Sequence, residues 1–218
     1  MTKKGTLFII LFFLFSIQYT NSQQKHFFEG IITYKIESND NGYGDTLTVY
    51  IKDGYIKNLY NTKHKGGIKE EILHPDKGMM YMKLVGVDTL YTYNIKKNDS
   101  SKLIEITNKE SIEENILGRK CNMIEFKTKN IIDNNDYIFV YKYYYSPDYL
   151  KLNIERFENY NFGYASTVYS KAKSHCLKYE MTSPAFHLKY TAIHILHKKL
   201  DSSLFNIDTN IPLKEFKI

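Results

Sequence analysis

The chain has 218 residues, with 20 tyrosines, 13 phenylalanines, no tryptophan, 4 prolines and 11 glycines. Its formal charge is +6, and the lysines are scattered among acids rather than gathered in a block. This composition excludes a disordered or collagen-like chain. The dispersed charge argues against a nucleic-acid partner, because only a concentrated basic patch makes a useful field.

The chain opens with Met1-Thr2-Lys3-Lys4, continues with an apolar run from Leu7 to Phe15, and reaches the small residues Thr20-Asn21-Ser22. That three-part layout predicts a secretory signal peptide over residues 1–22, cleaved before Gln23. The apolar run falls short of the ~20 residues a spanning helix needs, so no stable transmembrane anchor is expected. No cysteine lies near the cut to carry a lipid. The mature chain, residues 23–218, then reads as a single β-rich domain, periplasmic or secreted, with a charge of +4 once Lys3 and Lys4 are gone.

Strand signals follow in order. Residues 27–37 alternate, with Phe28, Gly30, Ile32, Tyr34 and Ile36 on one face. Gly30 inside that pattern points to a bulge or a close backbone approach. Residues 46–52 alternate again, placing Leu47, Val49 and Ile51 together. Asp53-Gly54 then predicts a hairpin turn whose two central residues take positive φ. Returning strands are expected at 55–61, 68–74, 79–85 and 87–95. A further strand holds Leu103, Ile104 and Ile106. Ser111 and Glu114 have capping-box spacing, so a short helical turn ending at Gly118 is expected. Residues 120–129 and 137–145 read as a hairpin whose second arm puts Tyr137, Phe139, Tyr141, Tyr143 and Tyr145 on one face. Residues 149–164 read as a short helix and a loop. Three more strands are expected at 167–172, 175–181 and 186–196, and a tight turn at 201–205. About ten short strands at near-regular spacing indicate an antiparallel sheet.

No nucleophile elbow, phosphate-binding loop or dinucleotide fingerprint occurs, so the chain reads as non-enzymatic, with no cofactor and no metal. His194 and His197 are three apart, which on a strand points them to opposite faces. His175-Cys176 pairs a base with a thiol, but strand neighbours point apart and no third group accompanies them. Glu70-Glu71 and Glu113-Glu114 read as solvated carboxylates. Met79, Met80 and Met82 suit either core filling or the lining of a lipid cavity. Cys121 and Cys176 can form a disulfide in an exported chain or remain two separate buried thiols.

The segments Phe28 to Ile36, Val49 to Lys57, Ile72 to Tyr81, Ile116 to Cys121 and Tyr145 to Asp148, in this order, resemble the exported DUF4412 and GLPGLI-type proteins of Bacteroidota. They resemble more distantly the LolA/LolB-like lipoprotein carriers. The similarity covers most of residues 27–150, with a weaker echo over 200–207. It implies a mainly β fold: a curved antiparallel sheet forming an incomplete barrel, with short helices at its mouth. It further implies a concave apolar face that holds a lipid, a lipoprotein or another apolar ligand. The expected lining is Phe28, Ile32, Tyr34 and Ile36, then Leu47, Val49 and Ile51, then Met80, Met82 and Leu84; all ten also suit a plain core. The alternative is a protein–protein interaction or surface-assembly module that uses the tyrosine-rich face at 137–145, since tyrosine packs its ring while its hydroxyl stays wet.

Overall fold

The fold is that of a computed structural model, which describes residues 27–97, 101–132, 135–208 and 210–216. The expected signal peptide lies outside the described residues. Among the described residues no helix is long and apolar enough to cross a membrane.

Among the described residues, twelve strands form one curved sheet that does not close into a barrel. The first six are β1 (Gly30–Ser38), β2 (Thr46–Lys52), β3 (Tyr55–Tyr60), β4 (Ile68–His74), β5 (Met79–Leu84) and β6 (Leu90–Asn94). They run as an antiparallel meander. The chain then crosses to the far edge for β7 (Lys102–Ile116), β8 (Arg119–Ile132) and β9 (Asn135–Tyr145). A helical segment follows, with 3-10 turns at Ile154–Phe157 and Phe162–Tyr164 and the helix α1 at Ala165–Ala172. Strands β10 (Lys178–Thr182) and β11 (His187–His197) bring the sheet back, and β11 pairs with β1. The last strand, β12 (Leu213–Glu215), pairs parallel with β6 at the opposite edge.

Alternation decides which side chains face the core. In β1, Ile32, Tyr34 and Ile36 are buried while Lys35 is exposed, and in β2 Leu47, Val49 and Ile51 are buried. Gly30 makes the close approach its position implies: a Cβ there would collide with the Leu196 carbonyl oxygen across the β1–β11 pair. Asp53 (φ 43°) and Gly54 (φ 82°) both adopt left-handed conformations between β2 and β3, which gives the hairpin turn the sequence announces. A Cβ on Gly54 would also sit 2.6 Å from the Arg156 Cβ. Gly54→Ala is therefore expected to cost about 1–2 kcal/mol, measured as a lower urea midpoint at unchanged slope. An unchanged midpoint would mean the turn tolerates a Cβ.

Two expected elements differ, and one strand was not expected. Residues 111–118 form no helical turn; they continue β7 to Ile116, and Leu117 (φ 51°) and Gly118 (φ 74°) make a two-residue turn into β8. Ladder pairing with β8 outweighs the local capping box. Register shifts between Lys109 and Ile112 and between Ile112 and Asn115 absorb the mismatch, and bulges and charges suit an edge strand. Residues 167–172 belong to α1, not a strand. Val168 and Ala172, four apart, bury one face of that helix. β12 carries too short a pattern to be read in advance.

Helical residues close over the concave face of the sheet. Leu150, Leu152, Phe157, Val168, Ala172 and Leu177 are buried there in one cluster with Ile32, Tyr34 and Ile124. A second, smaller core lies on the convex face, where Leu200 and Phe205 pack on Ile72. The C-terminal segment is tied down there. Glu29 Oε1 accepts from the Leu200 amide at 2.6 Å, His74 Nε2 bonds the Phe205 carbonyl at 2.7 Å, and the Phe216 amide donates to Thr92 O at 2.8 Å.

Candidate functional site

Between the concave face and the helical cover lies a cavity of about 250 Å³. One wall comes from β2 to β5. Register places Val49 opposite Asn58, Leu47 opposite Tyr60, Asn58 opposite Glu71, and Leu73 opposite both Ile56 and Met80. Directly opposite residues share a face, so all of these side chains turn inward together. The other wall carries Tyr34 from β1 and a row of three tyrosines in register, Tyr143, Tyr179 and Tyr190, from β9, β10 and β11. The cover adds Tyr160, Phe162, Tyr169, His175 and Cys176.

The polar groups inside are few. Glu71 Oε2 accepts from Asn58 Nδ2 at 3.0 Å and from the Tyr60 hydroxyl at 2.9 Å. Burial raises its carboxyl above the ordinary range, and those two hydrogen bonds offset part of the rise. Its neighbour Glu70 points the other way and pairs with Lys57 at 2.9 Å. The reading of Glu70-Glu71 as two solvated carboxylates is thus corrected for Glu71. Its phase with Leu73 in β4 was the available signal.

His175 is 8% exposed, and its Nδ1 has no hydrogen-bond partner. Burial pushes its imidazole down to about 4, so it is neutral at physiological pH. Burial likewise pushes the Cys176 thiol up to about 12. The Tyr34 hydroxyl donates to the Cys176 carbonyl at 2.6 Å, and Tyr143 donates to the Ser174 carbonyl at 2.8 Å. A protonated thiol beside a neutral imidazole is not an activated nucleophile. Burial also lifts the phenols of Tyr60, Tyr143, Tyr169, Tyr179 and Tyr190, so they remain hydrogen-bonding hydroxyls.

Of the ten expected lining residues, Tyr34, Leu47, Val49 and Met80 line the cavity. Phe28, Ile32, Ile36, Ile51 and Met82 are buried but do not line it, and Leu84 is half-buried beyond it. The side chains that alternation on single strands did not single out are Glu71, Tyr60, Tyr160, Tyr169 and His175, because strand pairing and the cover bring them together.

The five aromatics of β9 do share a face, but β9 is an interior strand between β8 and β10. Tyr141 stacks on Phe126 with ring centres 4.5 Å apart, and Tyr143 is buried in the cavity wall. His194 and His197 are both exposed; His197 packs against the Phe28 ring, and His194 lies opposite Thr33. Cys121 and Cys176 are both free and buried, so the bridge weighed above does not form here. Cys121 alternates in phase with Met123, which pairs with Tyr144, whereas Cys176 lines the cavity beside Tyr143. Tyr143 and Tyr144 point to opposite faces of the sheet, which separates the two thiols.

No protein-family model matches this chain, and no curated protein matches it.

Proposed function

We propose that the chain is an exported, non-enzymatic envelope protein that holds one small, largely apolar ligand in its half-barrel, in the manner of the DUF4412, GLPGLI and LolA-like proteins its segments resemble. The observation that carries this reading is the cavity of about 250 Å³ between sheet and cover, walled mainly by aromatic and aliphatic side chains. Its size lies at the lower edge of the ~300–1,000 Å³ of small-molecule sites, which favours one compact ligand or a short acyl chain over a full lipoprotein anchor. The protonated Cys176 thiol and neutral His175 support a binding role over a catalytic one. The inward, buried setting of Tyr143 speaks against the interaction-module alternative.

Native mass spectrometry of the purified protein, followed by titration with labelled monoacylglycerols of increasing chain length, tests this. One bound ligand per chain is expected, with affinity highest for short chains. Recovery of folded, empty protein that takes up no member of the series would sink the proposal.

A further inference from the structure

Among the described residues the cavity lining holds one carboxylate, no lysine or arginine, and one histidine that is neutral at physiological pH, although the chain as a whole is net positive. Elsewhere acids are routinely paired: Glu29 with Lys52, Glu70 with Lys57, Glu180 with Lys178. Glu71 forms no ion pair among the described residues. Both of its hydrogen bonds reach Oε2, and Oε1 has no hydrogen-bond partner among the described residues. Glu71 is half-buried, and a carboxylate partly withdrawn from water without a counter-charge is less favourably placed than a paired one, so this arrangement favours a ligand that brings the missing charge.

Tyrosines lie near that carboxylate. Tyr60 donates to it, Tyr160 and Tyr190 line the same cavity, and burial first and the Glu71 charge second raise the phenols of Tyr43, Tyr160 and Tyr190. The Tyr43 and Tyr60 ring centres are 6.1 Å apart. Aromatic faces attract cations, and the attraction strengthens where water is excluded. The remaining lining near Glu71, from Leu47, Leu73, Met80 and Phe162, is apolar and suits an organic body rather than a hydrated metal ion. His175, neutral with an unpartnered Nδ1, adds no competing positive charge.

We infer that the cavity selects a small organic ammonium ion with an apolar or aromatic body, its charged head on Glu71 Oε1 between the tyrosine rings. This rests on the cavity reading above and names the ligand class. The groups facing Glu71 are Asn58 and Tyr60 from β3, Tyr43 from the turn after β1, Tyr160 from the cover and Tyr190 from β11, with Met82 opposite it on β5. All the phenols in that set stay protonated. Two cavity groups change charge on acidification: Glu71, whose raised carboxyl becomes neutral, and His175, which stays neutral until about pH 4 and then becomes positive. Ammonium binding weakens with either step.

Calorimetric titration of the whole protein with phenethylammonium and with its neutral isostere phenethyl alcohol decides the matter. The cation is expected to bind about 10- to 100-fold more tightly, as an added charge-assisted hydrogen bond and ring contacts would give. That preference should vanish in Glu71→Gln, through a loss of the cation's affinity that exceeds any change in the alcohol's. The pH profiles of the parent and of Glu71→Gln separate the two steps: the parent's cation affinity falls on acidification by more than the variant's, and the variant keeps only the fall that follows His175 protonation. Equal binding of both probes at every pH would overturn the ammonium inference and leave the cavity reading standing. Failure of the folded protein to bind either probe would overturn both.

Discussion

Phe157→Ala is expected to lower the unfolding free energy by about 3–5 kcal/mol, the range for truncating a buried aromatic. Phe157 is 1% exposed and closes a 3-10 turn in the cover, its ring 4.8 Å from that of Tyr169. Tyr169 lies on α1 and lines the cavity, so the Phe157 ring supports both the cover and the wall. The truncation removes the ring against which Tyr169 packs. Equilibrium urea unfolding at neutral pH reads the loss directly. Because Tyr169 then loses support in the cavity wall, the variant should also release a bound ligand faster. A loss below about 1 kcal/mol would mean that the cover is loosely docked and that the cavity is not a fixed feature.

Acidification from pH 6.5 to 4 is expected to remove about 3 kcal/mol of stability through His175 alone. The imidazole is pushed down to about 4 in the folded chain from an ordinary value of 6.5. Between those values the unfolded chain binds a proton at His175 and the folded chain does not. Protonation therefore favours unfolding, and stability falls as the pH falls through that window. The cause is desolvation: the ring is buried among Tyr34 and Tyr169, at 6.4 and 6.5 Å, with no ion pair to an acid among the described residues. The Asp76 carboxyl, held low by the Tyr55 hydroxyl and by Arg156, contributes in the same direction at lower pH. Glu71 acts in the opposite sense, because its carboxyl is raised and its protonation on acidification favours the folded chain. The diagnostic is thus the difference between the parent and His175→Gln, followed by urea unfolding at several pH values. The variant should lose markedly less stability over the same interval. Parallel curves would show that His175 titrates as an exposed histidine does.

The strands of the first half were legible because each carries its own instructions. The alternation of Leu47, Val49 and Ile51 ends on Asp53-Gly54, and both the strand and its left-handed turn follow from residues in immediate succession. The hairpin of β8 and β9 was legible for the same reason. Residues 111–118 and 167–172 were not, because the local signals compete with distant partners. The capping-box residues of β7 have β8 alongside them to complete a ladder, and the β-branched Thr167 and Val168 lie where the helix can bury Val168 and Ala172.

The cavity divides in the same way. Tyr34, Leu47, Val49 and Met80 were found from alternation on single strands. Glu71 has the same phase as Leu73, but nothing within β4 says that Asn58 and Tyr60 stand opposite it or that no lysine does.

By itself the sequence determined a mainly β fold, the phase of strands such as β1 and β2, and the turn at Asp53-Gly54. Those depend on contacts between residues a few positions apart. The open curved sheet with short helices is the one the resemblance implied; only the tertiary structure decided which strands pair across it and that Cys121 and Cys176 lie on opposite sides. It also decided that Glu71 and His175 share a tyrosine-lined cavity. Those outcomes depend on pairings such as β1 with β11, whose residues are about 160 positions apart, and local periodicity holds no record of them.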